Sequence, residues 1–244
     1  MTAVSVIVNG AKGRMGQEAV KAVDADEGLI LAGQADVGDD LVQLIHDTQA
    51  QVVVDFTTAS VAFENSRKII EANVHPVVGT SGLMPEQVLE LQKLAARKKL
   101  GGLIAPNFAI GAVLMMKFAK EAVRYFPNVE VIELHHDRKA DAPSGTAIKT
   151  LDMLAEARQT EPNHREEKEI LPGARGSVQH KIHVHSIRLP GLVAHQEVLF
   201  GGTSETLTIR HDSIHRESFM TGVCFACKKV LDLDTLIYGL EHLL

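Results

Sequence analysis

A short apolar run, VSVIV at residues 4–8, ends in Asn9-Gly10 and is followed by Gly13 and Gly16 at three-residue spacing. A β-branched run without polar alternation must be covered on both faces, which points to a parallel strand under helices. Residues 14–25 then place Met15, Ala19, Ala22 and Val23 at helical spacing, and residues 29–35 return to a strand pattern. In that setting Gly10 permits the tight turn, Gly13 lets the backbone approach a pyrophosphate, and Gly16 lets the helix pack against the sheet. The spacing is G-x-x-G-x-x-G rather than the strict G-x-G-x-x-G, so an ordinary strand–helix turn competes. The strand–turn–helix–strand context favours a dinucleotide site.

The same alternation continues for about a hundred residues. Strands are expected at 52–56, 74–78 (broken by Pro76) and 103–105, with helices at 59–72 and 85–98, the second opening on proline. Strands alternating with helices define a parallel α/β sheet. Asp36 lies just beyond the second strand, where a carboxylate accepts hydrogen bonds from an adenosine ribose and repels a 2′-phosphate. The bland alternative is one solvated carboxylate among several in residues 36–40. Gly79-Thr80-Ser81-Gly82 and Ala105-Pro106-Asn107-Phe108 fall at strand C-terminal ends, where such sheets bind ligands.

After Asn107 the pattern changes. A long apolar helix over 110–125 leads to an alternating strand at 129–134, a helix at 145–157, and a polar, exposed loop at 160–168. Three more strands are expected at 181–188, 193–200 and 205–211, joined by Pro190-Gly191 and Gly201-Gly202. A helix over 218–231 closes the pattern. The fold class is therefore α/β: an N-terminal Rossmann-type parallel sheet plus an α+β substrate domain with a mixed sheet. Residues 1–108 are expected to form the dinucleotide-binding domain, completed by 217–244, and 109–216 the substrate-binding and oligomerisation domain.

Composition narrows the function classes. Twenty-five basic against thirty-one acidic residues give a formal charge of −6, which disfavours a nucleic-acid binder held by a general electrostatic grip. Aromatics are only 4% and tryptophan is absent, so stacking platforms for bases are not expected. No window approaches the ~20 apolar residues of a membrane span. Cys224 and Cys227 have redox or half-zinc spacing but sit in an apolar helical stretch with no second pair, so they read as small core residues. A cytoplasmic location is the default expectation.

Residues 133–147, ELHHDRKADAPSGTA, concentrate two imidazoles, an ammonium and a guanidinium after a strand and end at a helix start. Free N–H groups at a helix N-terminus bind carboxylates, and Gly145 and Thr146 add backbone and hydroxyl donors. His136 and Lys139 supply nearby charge, and His135 or Lys139 a titratable acid. Ser144 could be a nucleophile, but no glycine precedes it as in a nucleophile elbow, and its simpler job is to cap the helix. H-H-x-x-K is not metal-ligand spacing, and no metal is expected. His180, His183, His185 and His195 read as structural or exposed.

This segment resembles the signature of the dihydrodipicolinate (4-hydroxy-tetrahydrodipicolinate) reductase family. The resemblance spans essentially the whole chain, through Gly10–Met15, Asp55-Phe56-Thr57, residues 78–82, Ala105-Pro106-Asn107-Phe108, Arg188-Leu189-Pro190-Gly191, His195-Gln196-Glu197-Val198 and Gly201. It implies reduction of a small cyclic dicarboxylate by hydride from NADH and/or NADPH, within diaminopimelate and lysine biosynthesis. It implies His135 as catalytic acid/base and Lys139 as proton donor. Substrate contacts are implied for His136, Ser144, Gly145 and Thr146. Cofactor contacts are implied for Gly10, Ala11, Lys12, Gly13, Arg14, Met15, Asp36, Gly79, Thr80, Ser81, Ala105, Pro106, Asn107 and Phe108. Members that favour a 2′-phosphate often carry arginine after the acidic residue; here Val37 follows Asp36, so NADH is expected to serve at least as well as NADPH, although Lys12 could reach a 2′-phosphate. The resemblance also implies a homotetramer built through the substrate-domain sheets, with Val193, Val198 and Phe200 as candidates for the shared surface.

Three other readings compete. A dehydrogenase of the glucose–fructose oxidoreductase type would share the layout but use a different lysine–histidine constellation. A non-catalytic nicotinamide sensor would have no use for His135, His136 and Lys139 beside an anion cradle. A zinc-binding module is the weakest.

Overall fold

The computed structural model describes residues 3–162 and 168–244, and these divide into two compact units. The first comprises residues 1–110 and 216–244, and the second residues 111–215. Among the described residues no helix is long and apolar enough to cross a membrane.

The first unit opens with β1 (Val4–Asn9), α1 (Arg14–Ala25), β2 (Leu29–Ala35), α2 (Leu41–Thr48) and β3 (Val52–Asp55). It continues through α3 (Ala59–Glu71), β4 (His75–Val78), α4 (Pro85–Lys98) and β5 (Gly102–Ile104). Val6, Ile7 and Val8, like Val52, Val53 and Val54, are all inaccessible to solvent. Successive strand residues point to opposite faces, so both faces of the sheet are covered. On one face Ile7 and Val53 meet Leu41, Ile45 and Ile69.

Gly16 is required by packing: a Cβ there would lie 2.0 Å from the Gly10 carbonyl oxygen. Gly10 itself has φ +81°, and its Cβ would lie 2.6 Å from the Phe56 carbonyl oxygen. Helix α2 is absent from the sequence expectation. Its eight residues place Leu41, Leu44 and Ile45 at helical spacing over only two turns, and it starts where the Asp40 carboxylate caps the Val42 and Gln43 N–H groups.

The second unit contains α5 (Ile110–Ala122), whose first residue belongs to the preceding unit, then β6 (Asn128–His135) and α6 (Gly145–Ala157). Strands β7 (Ser177–Gln179), β8 (Ile182–Arg188), β9 (Ala194–Gly202) and β10 (Glu205–Ser213) follow. The sheet order is β10-β9-β6-β8-β7, with β6 and β8 parallel and the other pairs antiparallel. Helix α5 stops short of the expected residue 125 in a turn in which Tyr125 and Phe126 both donate to the Ala122 carbonyl. Of the polar loop expected over 160–168, residues 163–167 lie outside the described residues.

Val198 and Phe200 do not supply a surface between chains. Both are buried among this unit's own residues, and Phe200 lies 6.4 Å from the Phe126 ring. Val193 is half-buried in the turn before β9. The opposite face of β9 carries the half-buried His195, Glu197 and Leu199.

The chain then returns to the first unit with α7 (Met220–Lys229) and β11 (Leu236–Tyr238). The helix expected over 218–231 is shorter, with single 3-10 turns at Arg216–Phe219 and Val230–Asp232 on either side. It packs against α1 and the strands β1, β3 and β4. Cys224 and Cys227 are unpaired and buried within it. Strand β11 adds to the edge, giving a six-stranded all-parallel sheet in the order β11-β5-β4-β3-β1-β2.

Candidate active site

In the first unit, the C-terminal ends of β1 to β5 bring most of the expected cofactor residues to one edge of the sheet. Gly10 and Ala11 both donate to the Ala35 carbonyl, at 2.8 and 3.1 Å, which holds the turn after β1 against the end of β2. Helix α1 then begins at Gly13 with no side-chain cap and no acidic residue in its first turn. Lys12 and Arg14 are exposed beside it. Uncapped N–H groups, flanking cations and a glycine cap fit a diphosphate.

Asp36 is anchored from within. Its Oδ2 accepts the Lys12 N–H at 2.7 Å, and its Oδ1 accepts the Val37 N–H at 2.9 Å. Those two backbone bonds, Lys12 first, hold the carboxyl below the usual carboxylate range. It is therefore a fixed anion at the end of β2, with Val37 fully out in solvent.

The sequence reading gives no role to the carboxylate of Asp55, which is fully buried at the end of β3. Its Oδ2 accepts from Asn9 Nδ2 (2.8 Å) and Asn65 Nδ2 (3.0 Å). Its Oδ1 accepts from the Thr57 N–H (3.1 Å), Thr57 Oγ1 (2.7 Å) and Thr80 Oγ1 (2.9 Å). One side chain thus ties together the loops after β1, β3 and β4. The Phe56 ring fills the space where a Cβ on Gly79 would stand, and it meets Phe108 edge-on at 6.1 Å. Ala11, Ala105 and Phe108 are buried, which leaves their side chains turned into the unit rather than towards a ligand.

In the second unit, β6 alternates Val129, Val131 and Glu133 onto its buried face, which puts a carboxylate where the pattern predicts an apolar residue. Glu133 is fully buried and fully paired. Arg188 grips it through Nη1 to Oε2 (2.9 Å) and Nη2 to Oε1 (2.7 Å). The Ser144 N–H donates to Oε1 at 3.2 Å, and His135 Nδ1 makes a short hydrogen bond to Oε2. Burial alone would raise this carboxyl. The bonds from His135, Arg188 and Ser186, with the charge of His135, outweigh burial and hold it at about 2.

Lys139 Nζ pairs with both oxygens of Asp141, at 2.8 and 2.7 Å. That bond outweighs the opposing effect of burial and keeps the Asp141 carboxyl below its ordinary value. His136 Nδ1 is enclosed and has no hydrogen-bond partner among the described residues. Ser144 Oγ accepts the Ala147 N–H at 3.2 Å, so its hydroxyl serves as the cap of α6. A Cβ on Gly145 would meet nothing of this chain within 4 Å, so the fold does not demand glycine there. An open, uncharged first turn of α6 beside His136 and Lys139 can take a carboxylate.

His180 pairs with Asp152, His185 with Glu130 and His195 with Asp212, while His183 bonds the Arg175 carbonyl. Among the described residues no group of three or more His, Cys, Asp or Glu could hold a metal.

A six-stranded parallel sheet with a glycine turn, joined to a unit that sets histidine and lysine beside an open helix start, defines a dinucleotide-dependent oxidoreductase. The family model described as dihydrodipicolinate reductase, N-terminus, matches residues 4–108, and its C-terminus counterpart matches residues 111–244. The chain belongs to the dihydrodipicolinate reductase family. A 4-hydroxy-tetrahydrodipicolinate reductase of Legionella pneumophila (strain Paris) is 53% identical over 98% of both chains. One from Listeria innocua is 49% identical over 99% of this chain and all of its own. The solved structure of a dipicolinate-bound dihydrodipicolinate reductase from Paenisporosarcina sp. TG-14 is 44% identical over both full lengths, with a TM-score of 0.92.

Proposed function

We propose that this enzyme reduces 4-hydroxy-tetrahydrodipicolinate to tetrahydrodipicolinate, with loss of water, as a step of diaminopimelate and lysine biosynthesis. The observation that carries the reading is the grouping, within residues 133–147, of Lys139, His135, His136 and the open start of α6. A cyclic dicarboxylate needs two anion sites, and this segment offers cationic side chains and a helix N-terminus. The relative solved with dipicolinate bound supports a ligand of that class.

Residues 10–15, Asp36, residues 79–81 and residues 105–108 would hold the dinucleotide, whose nicotinamide would supply the hydride. Loss of the 4-hydroxyl with a hydrogen of the adjacent ring carbon, as water, leaves a ring C=C; hydride adds at C4 and Lys139 Nζ delivers the proton to the adjacent carbon, with His135 assisting as acid/base. His136, Gly145 and Thr146 hold the substrate carboxylates, and an arriving carboxylate displaces Asp141 from Lys139. A positioned general acid contributes roughly 10²–10⁴-fold in rate. NADH serves at least as well as NADPH, because Asp36 is a fixed anion followed by valine.

The enzyme works as a cytoplasmic homotetramer in this reading. The unpaired Cys224 and Cys227 are consistent with a reducing compartment. A coupled assay with freshly generated substrate, run with NADH and NADPH in parallel, tests the activity. No cofactor oxidation with either dinucleotide would refute it. A monomer by light scattering would refute the tetramer.

A further inference from the structure

The buried pair beneath the histidine–lysine segment has a geometry that reaches both residues of the proposed chemistry. In the parallel register of β6 and β8, His135 stands opposite Arg188, and Glu133 lies two residues back on the same face. A guanidinium has five N–H donors in a fixed plane, and all five of Arg188 are used. Two grip Glu133. Nη1 also donates to the Ile187 carbonyl (2.8 Å), Nη2 to the Asp141 carbonyl (2.7 Å), and Nε to the Lys139 carbonyl (3.3 Å). One side chain therefore holds the backbone on which Lys139 stands. The ionised Glu133 can only accept, so in the neutral imidazole of His135 the proton sits on Nδ1 and Nε2 keeps its lone pair.

We infer that Glu133 and Arg188 are positioning residues of the reductase: Glu133 fixes the tautomer of His135, and Arg188 fixes the placement of Lys139. The inference rests on the reading of His135 and Lys139 as the acid–base pair. A lysine cannot replace Arg188, since its three donors spring from one nitrogen and cannot span a carboxylate and three carbonyls.

In Glu133→Gln the amide oxygen stays at the Oε1 position, where the Ser144 N–H and Arg188 Nη2 are both fixed donors, because at Oε2 only Arg188 Nη1 is a fixed donor and the imidazole can change its tautomer. The NH₂ then faces His135 Nδ1, and the neutral ring moves its proton to Nε2. Nitrogen-15 NMR of the imidazole reads this directly. The expected result is an Nδ1-protonated neutral ring in the wild-type enzyme and an Nε2-protonated ring in E133Q. E133Q should lose no more in kcat than His135→Gln does, roughly 10- to 10²-fold on the scale of a misplaced general acid or base, with the KM for NADH unchanged.

Arg188→Ala should fall in kcat by a comparable factor. Guanidinium, at concentrations that do not unfold the enzyme, should restore kcat, and methylammonium should not. A wild-type ring protonated on Nε2 when neutral, or an Arg188→Ala enzyme of normal kcat, would overturn the inference. A tautomer switch in E133Q with normal kcat would also overturn it, by removing His135 from the chemistry rather than Glu133 from its contact. The NMR result thus separates failure of the positioning from failure of the functional reading.

Discussion

Asn9 and Asp55, at the ends of adjacent parallel strands, join Nδ2 to Oδ2 at 2.8 Å with both residues buried. The bond places the start of the glycine turn under the same carboxylate that holds Thr57 and Thr80. Asp55→Asn sets an NH₂ group against the Asn9 and Asn65 amide donors or, turned over, against the Thr57 N–H, since only the threonine hydroxyls can turn to accept. A buried donor left unpaired costs about 1–3 kcal/mol. We expect stability to fall by that amount and NADH affinity to fall roughly tenfold, with kcat at saturating cofactor little changed. Thermal denaturation and fluorescence titration of NADH measure the two effects.

Asp36→Ala should weaken NADH more than NADPH, since the carboxylate offers acceptors to ribose hydroxyls and repulsion to a phosphate. A loss of roughly tenfold for NADH is the scale of one charged hydrogen bond. Binding isotherms for both dinucleotides at physiological salt are the check, and a large wild-type preference for NADPH would contradict the assignment.

Lys139→Ala should lower kcat by 10²-fold or more, on the scale of a general acid, and leave NADH affinity unchanged. His135→Gln should lower kcat less. Thr146→Val should instead raise the substrate KM, because it removes a hydroxyl at the start of α6 without touching the proton path. Steady-state kinetics on enzymes of unchanged melting temperature separate these outcomes from a loss of fold.

Glu133 gives stability a distinct acid limb. Its folded-state value of about 2 lies below the ordinary carboxyl value of 4.5. Its contribution is therefore complete above pH 4.5 and is lost as pH falls towards 2. The shift corresponds to about 3 kcal/mol. Urea denaturation between pH 2 and 5 should show a steeper decline for the wild-type enzyme than for E133Q.

Cys224 and Cys227 should stay silent to thiol reagents in the native enzyme. Burial pushes both thiols up, that of Cys224 to about 11, and leaves little thiolate at neutral pH. Two equivalents of thiol should appear only on unfolding; rapid native labelling would show the α7 face to be open.

The regular alternation of the first hundred residues is legible because buried parallel strands and amphipathic helices write it locally. Helix α4 and helix α6 have the bounds that their sequence patterns predict. Strands β7 and β11 leave no such trace, being three residues each and defined only by their neighbours. The candidate site divides in the same way. His135, Lys139 and Gly145 sit in one contiguous segment. The Glu133–Arg188 pair spans 55 residues and exists only because β6 and β8 run parallel in one particular register. A carboxylate at a position where alternation demands an apolar side chain is the one local sign of it.

Strand β11 carries a consequence for how the molecule is made. It pairs with β5, so an edge of the first sheet is supplied by residues translated after the whole of the second unit. Domains generally fold as they leave the ribosome, N-terminal first. Here the N-terminal five strands emerge with β5 unpaired on one side and without the cover of α7. The second unit is continuous in sequence and can complete its sheet earlier. The order of synthesis and the order of completion are thus reversed, and the nascent chain carries an open β-edge for most of its elongation.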